Sequence, residues 1–141
     1  MAVDQTAGFK YMGRMGGGED WIVEIPFKDS ETLTKGDIVN LESGEADLGA
    51  TGDSAFLGIA LETKSGVDST TYIRCHAAPD AIYAVYDANA RNLGDTLDLS
   101  GATGAQTVDT SSNADFVVVG GLAADQWTLV MFAAGETWLD R

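Results

Sequence analysis

The 141-residue chain has one cysteine and one histidine, and they are neighbours, Cys75 and His76. Side by side they invite the chemistry of a nucleophile and its base. They sit, however, in "TTYIRCHAA", a β-branched and aromatic run that reads as a strand. Adjacent strand residues point to opposite faces, so the imidazole cannot reach the thiol, and there is no second histidine to replace it. The pair is read as structural. A lone cysteine also excludes an intrachain disulfide and a cysteine metal cluster.

Carboxylates are the other reactive stock, with 22 Asp and Glu residues. Asp95 and Asp98 could be drafted as an acid pair for glycoside hydrolysis, but so acidic a chain offers many such pairs. "DLGATGDS" lacks the alternating acidic spacing and closing Glu of a calcium loop, so a solvated acidic rim is preferred to a structural calcium ion. "GRMGGGED" lacks the Lys-Ser/Thr of a phosphate loop and joins no strand to a helix; it reads as a hinge. Trp21, Trp127 and Trp138 with Tyr72, Tyr83 and Tyr86 would suit an aromatic platform for sugars, although such residues more often fill cores or oligomer interfaces. None of these constellations argues for an enzyme, a cofactor or a bound metal.

The elements that must position these residues are strands. "WIVEIPF" alternates from Trp21, and Pro26 marks an edge or a strand end. "DIVNL", "AFLGIALE", "TTYIRCHAA", "AIYAVYDA", "DTLDL", "FVVVGGLA" and "WTLVMFAA" follow, separated by turn-rich stretches such as "ESGEADLGATGDS" and "GATGAQTVDTSSNAD". Seventeen glycines, two prolines and 45% hydrophobic residues fit short strands, tight turns and a buried core. The expected fold is all-β, a small β-barrel or β-sandwich, β-tulip-like in outline. Residues 1–20, with Phe9, Tyr11, Met12 and Met15 among glycines, have no clear period and read as an extended N-terminal arm. Residues 21–141 form the domain.

One short motif recurs. "TKGDIVNL" aligns with "NLGDTLDL", "AFLGIALETKSG" with "DFVVVGGLAADQ", and "TYIRCHAAP" with "TLVMFAAGE". Offsets near sixty residues and a preserved order suggest two weakly similar β units, about 21–79 and 80–141, with chance convergence of strand and turn composition as the alternative.

A formal net charge of −14 argues against nucleic acid or an anionic membrane as a partner. Solubility is the plainer reading of that acidity, ahead of a basic partner. Lys10, Arg14, Lys28 and Lys35 all lie in the first quarter, which is the least acidic part. No signal-peptide-like apolar run opens the chain, which suggests a cytoplasm-like site of synthesis.

Taken in order, the aromatic glycine-rich N-terminal segment, "TKGDIVNLESGEA" and "FLGIALETKSGVDSTTYIRCHA" resemble the head decoration proteins, or capsid cement proteins, of tailed bacteriophages. The resemblance spans roughly residues 30–135. It implies a non-enzymatic virion protein, made in the host cytoplasm, that binds the outer surface of an expanded capsid. Its partners would be the major capsid protein and itself, as a homotrimer at three-fold or quasi-three-fold sites that clamps neighbouring capsid subunits. Composition and position suggest Phe9, Lys10, Tyr11 and Arg14 for contacts to capsid or a neighbouring subunit, with Trp21 and Trp138 at body–arm or subunit interfaces. The alternative is a carbohydrate-binding β module or adhesin-like surface domain.

Overall fold

The computed structural model describes residues 7–28, 31–65, 71–110 and 113–139, and every regular element among them is a strand. In chain order these are β1 (Phe9–Arg14), β2 (Ile22–Pro26), β3 (Thr32–Leu33), β4 (Ile38–Glu42), β5 (Glu45–Leu48), β6 (Phe56–Ala60) and β7 (Lys64–Ser65). The second half supplies β8 (Tyr72–His76), β9 (Ala81–Asp87), β10 (Thr96–Ser100), β11 (Thr107–Thr110), β12 (Phe116–Gly120) and β13 (Gln126–Phe132). The all-β expectation holds, as a two-sheet sandwich.

One sheet has the order β2-β8-β6-β4-β5 and the other β1-β9-β13-β12-β10-β11, while β3 and β7 pair as a short ribbon. Numbering the five shared strands of each half in chain order, both sheets read first-fifth-fourth-second-third. The repeated motif therefore marks two units with one topology. Each unit's second strand is launched by the same turn. In one, Asp37 N–H donates to Thr34 O at 2.9 Å; in the other, Asp95 N–H donates to Asn92 O at 3.0 Å. Gly36 and Gly94 hold the third position of these turns at φ +94° and +88°, a conformation that side-chain-bearing residues adopt only with strain.

Two apolar clusters follow from strand alternation. The main core lies between the sheets, with Phe9, Tyr83, Val85, Leu97, Leu99, Phe116, Val118, Val130 and Phe132 against Ile38, Phe56 and Ile59. A second cluster on the far side of the five-stranded sheet gathers Phe27, Leu33, Val39, Leu57, Ala60, Ile73 and Cys75, with Trp138 packed on it. Ile38 and Val39 thus face different cores, as neighbours on a strand must. A bulge in the β4–β6 ladder places both Phe56 and Ile59 on the main-core side. The five-stranded sheet curls over the second cluster until its edges touch at one point, a parallel bridge between Phe27 and Ala46 with Lys28 N–H donating to Ala46 O at 3.0 Å.

The N-terminal segment departs from the expected arm. Residues 1–6 lie outside the described residues, but Phe9–Arg14 is strand β1, paired antiparallel with β9. Phe9 and Tyr11 alternate inward, Phe9 stacks on Phe116 at 5.3 Å, and Phe9 is only 2% exposed. The six-stranded sheet would otherwise end on β9, whose free edge β1 covers. Phe9 is a core residue and offers no contact surface. Two further strands, β5 and β11, lie inside stretches read as turn-rich connections; each forms a hairpin with the strand before it.

Candidate interaction surface

Cys75 and His76 occupy β8 with their side chains on opposite faces. Cys75 is buried in the second cluster, where burial pushes its thiol up to about 12. His76 turns the other way and stacks on Tyr11, ring centroids 4.1 Å apart. Tyr11 donates its hydroxyl to Asp20 Oδ1 at 2.7 Å; burial first, then the bond to that carboxylate, raises its pKa to about 12.

Of the remaining predicted contact residues, Arg14 and Trp21 meet beside the start of β2, while Lys10 and Trp138 lie elsewhere. Arg14 makes an ion pair with Asp80, Nε to Oδ1 2.8 Å, and donates from Nη1 to Glu19 O at 3.1 Å. Its guanidinium also lies 5.2 Å from the Trp21 ring centroid. Around this clamp Met15, Trp21 and Ile22 are 56%, 44% and 54% exposed, so the rim between β1 and β2 is apolar and open. Pro26 and the single bridge to β5 limit strand addition along β2, leaving side chains as its contact groups. Trp138 is not part of this rim. It packs on the second cluster and donates Nε1–H to Ala77 O at 3.2 Å, while Trp138 N–H donates to Phe56 O at 3.1 Å, stapling the C-terminal segment to its own domain.

A larger surface was not foreseen. On β9, β13 and β12 the residues between core-facing positions are Ile82, Ala84, Tyr86, Trp127, Leu129, Met131 and Val117, and they form an apolar patch on the outer face of the six-stranded sheet, beside outward Asp98 and Asp109 on β10 and β11. The ladder places Trp127 beside Tyr86, Leu129 beside Ala84, and Val117 beside Met131. Lys10 on β1 aligns with Ala84, and its ammonium lies 5.1 Å from the Trp127 ring centroid. An antiparallel sheet with one face on a core normally shows polar residues on the other. Here the stretch on β9, β12 and β13 is apolar on both faces, with the Asp125 carboxylate at its margin accepting from the Tyr86 hydroxyl at 2.8 Å. The signal was present in "FVVVGG" and "WTLVMF", largely apolar runs that call for a covering on both sides.

The aromatic residues considered for a sugar platform do not share one face. Tyr83 is fully buried between the sheets, Trp138 serves the second cluster, Trp127 and Tyr86 lie on the outer face, and Trp21 and Tyr72 lie on edge-side positions of the other sheet.

No family model matches the chain, and no curated protein matches it in sequence. Among solved structures the fold is similar to the N base of the head fibre gp8.5 of bacteriophage phi29, with a TM-score of 0.51 and 14% identity over 82% of this chain and 98% of that one. At this identity the likeness establishes a shared fold, and it spans nearly the whole of the phage domain.

Proposed function

We propose that this chain is a structural protein of a tailed-phage head. In this reading it is a virion component that binds the outer surface of the expanded capsid. It assembles as trimers at three-fold or quasi-three-fold sites and clamps neighbouring subunits of the major capsid protein. The observation that carries the reading is the fold shared with the base of a phage head fibre. The order of turn and strand motifs that resembles head decoration proteins supports it from the sequence side.

The physical chemistry suits such a role. A clamp needs a rigid body, and two apolar clusters sharing the five-stranded sheet supply one. It also needs contact groups that stay in place before binding. Arg14 is held by Asp80 and Glu19 and lies against Trp21, so the rim is ordered in advance and little side-chain entropy is lost on contact. Tyr11, Arg14 and Trp21 are the proposed capsid-side residues of this rim, and Lys10 is a proposed contact on the outer face of the six-stranded sheet. Weak contacts repeated over an icosahedral shell add up through avidity, so no single contact need be strong. Neither nucleic acid nor membrane enters this reading, and no catalysis is required.

The test is co-sedimentation of the purified protein with expanded and unexpanded heads of its phage. Saturable binding to expanded heads, weakened by Trp21→Ala combined with Arg14→Ala, is expected. Absence of binding to either form would overturn the proposal.

A further inference from the structure

We infer that the cleft between edge strand β1 and the ends of β6 and β8 is a binding site for an organic carboxylate, a ligand with an apolar body and one acid group. The cleft has a volume of about 570 Å³, the size of a small-molecule site. Both sheets line it. Strand β1 contributes Phe9 and Tyr11, β6 contributes Ile59 and Ala60, and Leu61 follows directly after β6. The turn that launches β4 borders it, with Phe9 N–H donating to Gly36 O at 2.9 Å and Gly36 N–H to Ala60 O at 3.0 Å. Phe9, Ile59 and Ala60 are buried and form an apolar floor, on which a hydrocarbon body is removed from water.

Two side chains supply the polar end. His76, at the end of β8, lines the cleft at 7% exposure, and its buried Nδ1 has no hydrogen-bond partner. A buried nitrogen left in that state costs free energy, which a bound acceptor restores. The Tyr11 ring, stacked on the imidazole, fixes its plane. Lys35 lines the cleft from an exposed turn position. Its backbone N–H is held by Thr63 Oγ1 at 3.0 Å, and among the described residues its ammonium enters no ion pair. Lys10 also borders the cleft, with its ammonium committed to the Trp127 ring. The chain's own carboxylates around these residues are engaged by other donors. Asp20 accepts from the Tyr11 hydroxyl, Asp37 from Thr34, Thr103 and Gly104, Glu62 from Arg74 N–H at 3.0 Å, and Asp80 from Arg14. A free ammonium and an unsatisfied imidazole nitrogen beside an apolar floor select an acceptor that is anionic and carries hydrocarbon. In the complex His76 Nδ1–H donates to one carboxylate oxygen and the Lys35 ammonium to the other.

His76 is the one histidine of the chain, so its imidazole signals in a proton–nitrogen NMR spectrum are unambiguous. Titration with sodium benzoate should move them saturably, with a Kd on the order of 1 mM, and give nuclear Overhauser contacts from the benzoate ring to the methyl groups of Ile59 and Leu61. Lys35→Glu, at an exposed position, should weaken binding by about tenfold or more. Benzyl alcohol lacks the charge and sodium phosphate lacks the apolar body, so each should bind about tenfold more weakly than benzoate. A blocked leucyl-glutamate peptide separates two sources of the same chemistry. Tighter binding than benzoate assigns the acid to a protein segment, and weaker binding assigns it to a free small acid. Should Lys35→Glu fail to fold by circular dichroism, the Overhauser contacts on the unaltered protein decide. No saturable shift of the His76 imidazole, saturation without contacts to Ile59 and Leu61, or equal binding of benzoate and either control would overturn the inference. Phage heads enter none of these measurements, so their outcome is independent of head binding.

Discussion

Asp37 and Asp95 occupy the same place in the two β units, and each carboxylate closes the turn that launches its strand. Asp37 Oδ2 accepts from Thr34 N–H at 2.8 Å, and Asp95 Oδ2 from Asn92 N–H at 2.9 Å. Their surroundings differ. Asp37 is fully buried and also accepts from Thr103 Oγ1 at 2.6 Å and Gly104 N–H at 2.9 Å, which ties the first unit to the loop between β10 and β11 of the second. Among the described residues Asp95 makes no such link between units.

That asymmetry sets the first expectation. Asp37→Ala removes three part-buried hydrogen bonds to a fully buried carboxylate and should cost about 3 kcal/mol, whereas Asp95→Ala should cost about 1 kcal/mol. Urea unfolding of the two variants measures the difference directly. Equal losses would mean that Asp37 does not fasten the units together.

Gly58 gives a second test. A Cβ added there would overlap the His76 carbonyl oxygen, because the backbone at His76 and Ala77 lies directly against Gly58. The obstruction is backbone, which cannot swing aside. Gly58→Ala should therefore lose several kcal/mol or fail to fold, while Gly44→Ala, whose added Cβ meets nothing, should show only the smaller penalty of its positive φ. Thermal melts followed by circular dichroism distinguish the two.

Trp138 supplies a third. Its ring packs on the second cluster and its indole N–H reaches Ala77 O, so Trp138→Ala should cost about 2–3 kcal/mol with association unchanged. A loss of association without loss of stability would instead place Trp138 at a contact between copies.

The ion pair of Arg14 and Asp80 predicts a pH dependence with a definite sign. The hydrogen bond from Arg14 holds the Asp80 carboxyl below its ordinary range. A carboxyl whose folded pKa is depressed contributes stability above its unfolded value, near 4, and loses it as pH falls through the folded value. In an NMR titration Asp80 should titrate below other exposed carboxylates, and Arg14→Gln should return it to the ordinary range while flattening the acid-side loss of stability. An unchanged titration in the variant would show that Arg14 does not control the group.

The fold was largely legible because most strands carry unambiguous signs, such as the alternation of "WIVEIPF" and the β-branched run of "TYIRCH". The repeat was legible for a similar reason: a turn needing glycine at one position and a capping Asp at the next leaves a short, ordered trace. Strand β1 was missed because a bulge interrupts its pairing between Tyr11 and Gly13, so Phe9 and Tyr11 keep too short an alternation to be read as a strand. In β5 and β11 the short alternations Glu45-Ala46-Asp47-Leu48 and Thr107-Val108-Asp109-Thr110 are diluted by polar and small residues. The rim assignment was partly legible, since Arg14 and Trp21 do meet, but Phe9 shows that an aromatic residue among glycines can belong to a core. The outer sheet face was hidden for another reason. Apolar runs such as "WTLVMF" report that both faces of a strand avoid water, and say nothing of whether this chain or another one does the covering.

The central claim is that this sandwich stands on the outside of a phage head. Cryo-electron microscopy of expanded heads, with and without the purified protein, tests it most directly. The account predicts added density on the outer surface at three-fold or quasi-three-fold positions, fitted by the two-sheet body with Arg14 and Trp21 toward the shell. Shells indistinguishable with and without saturating protein would contradict it.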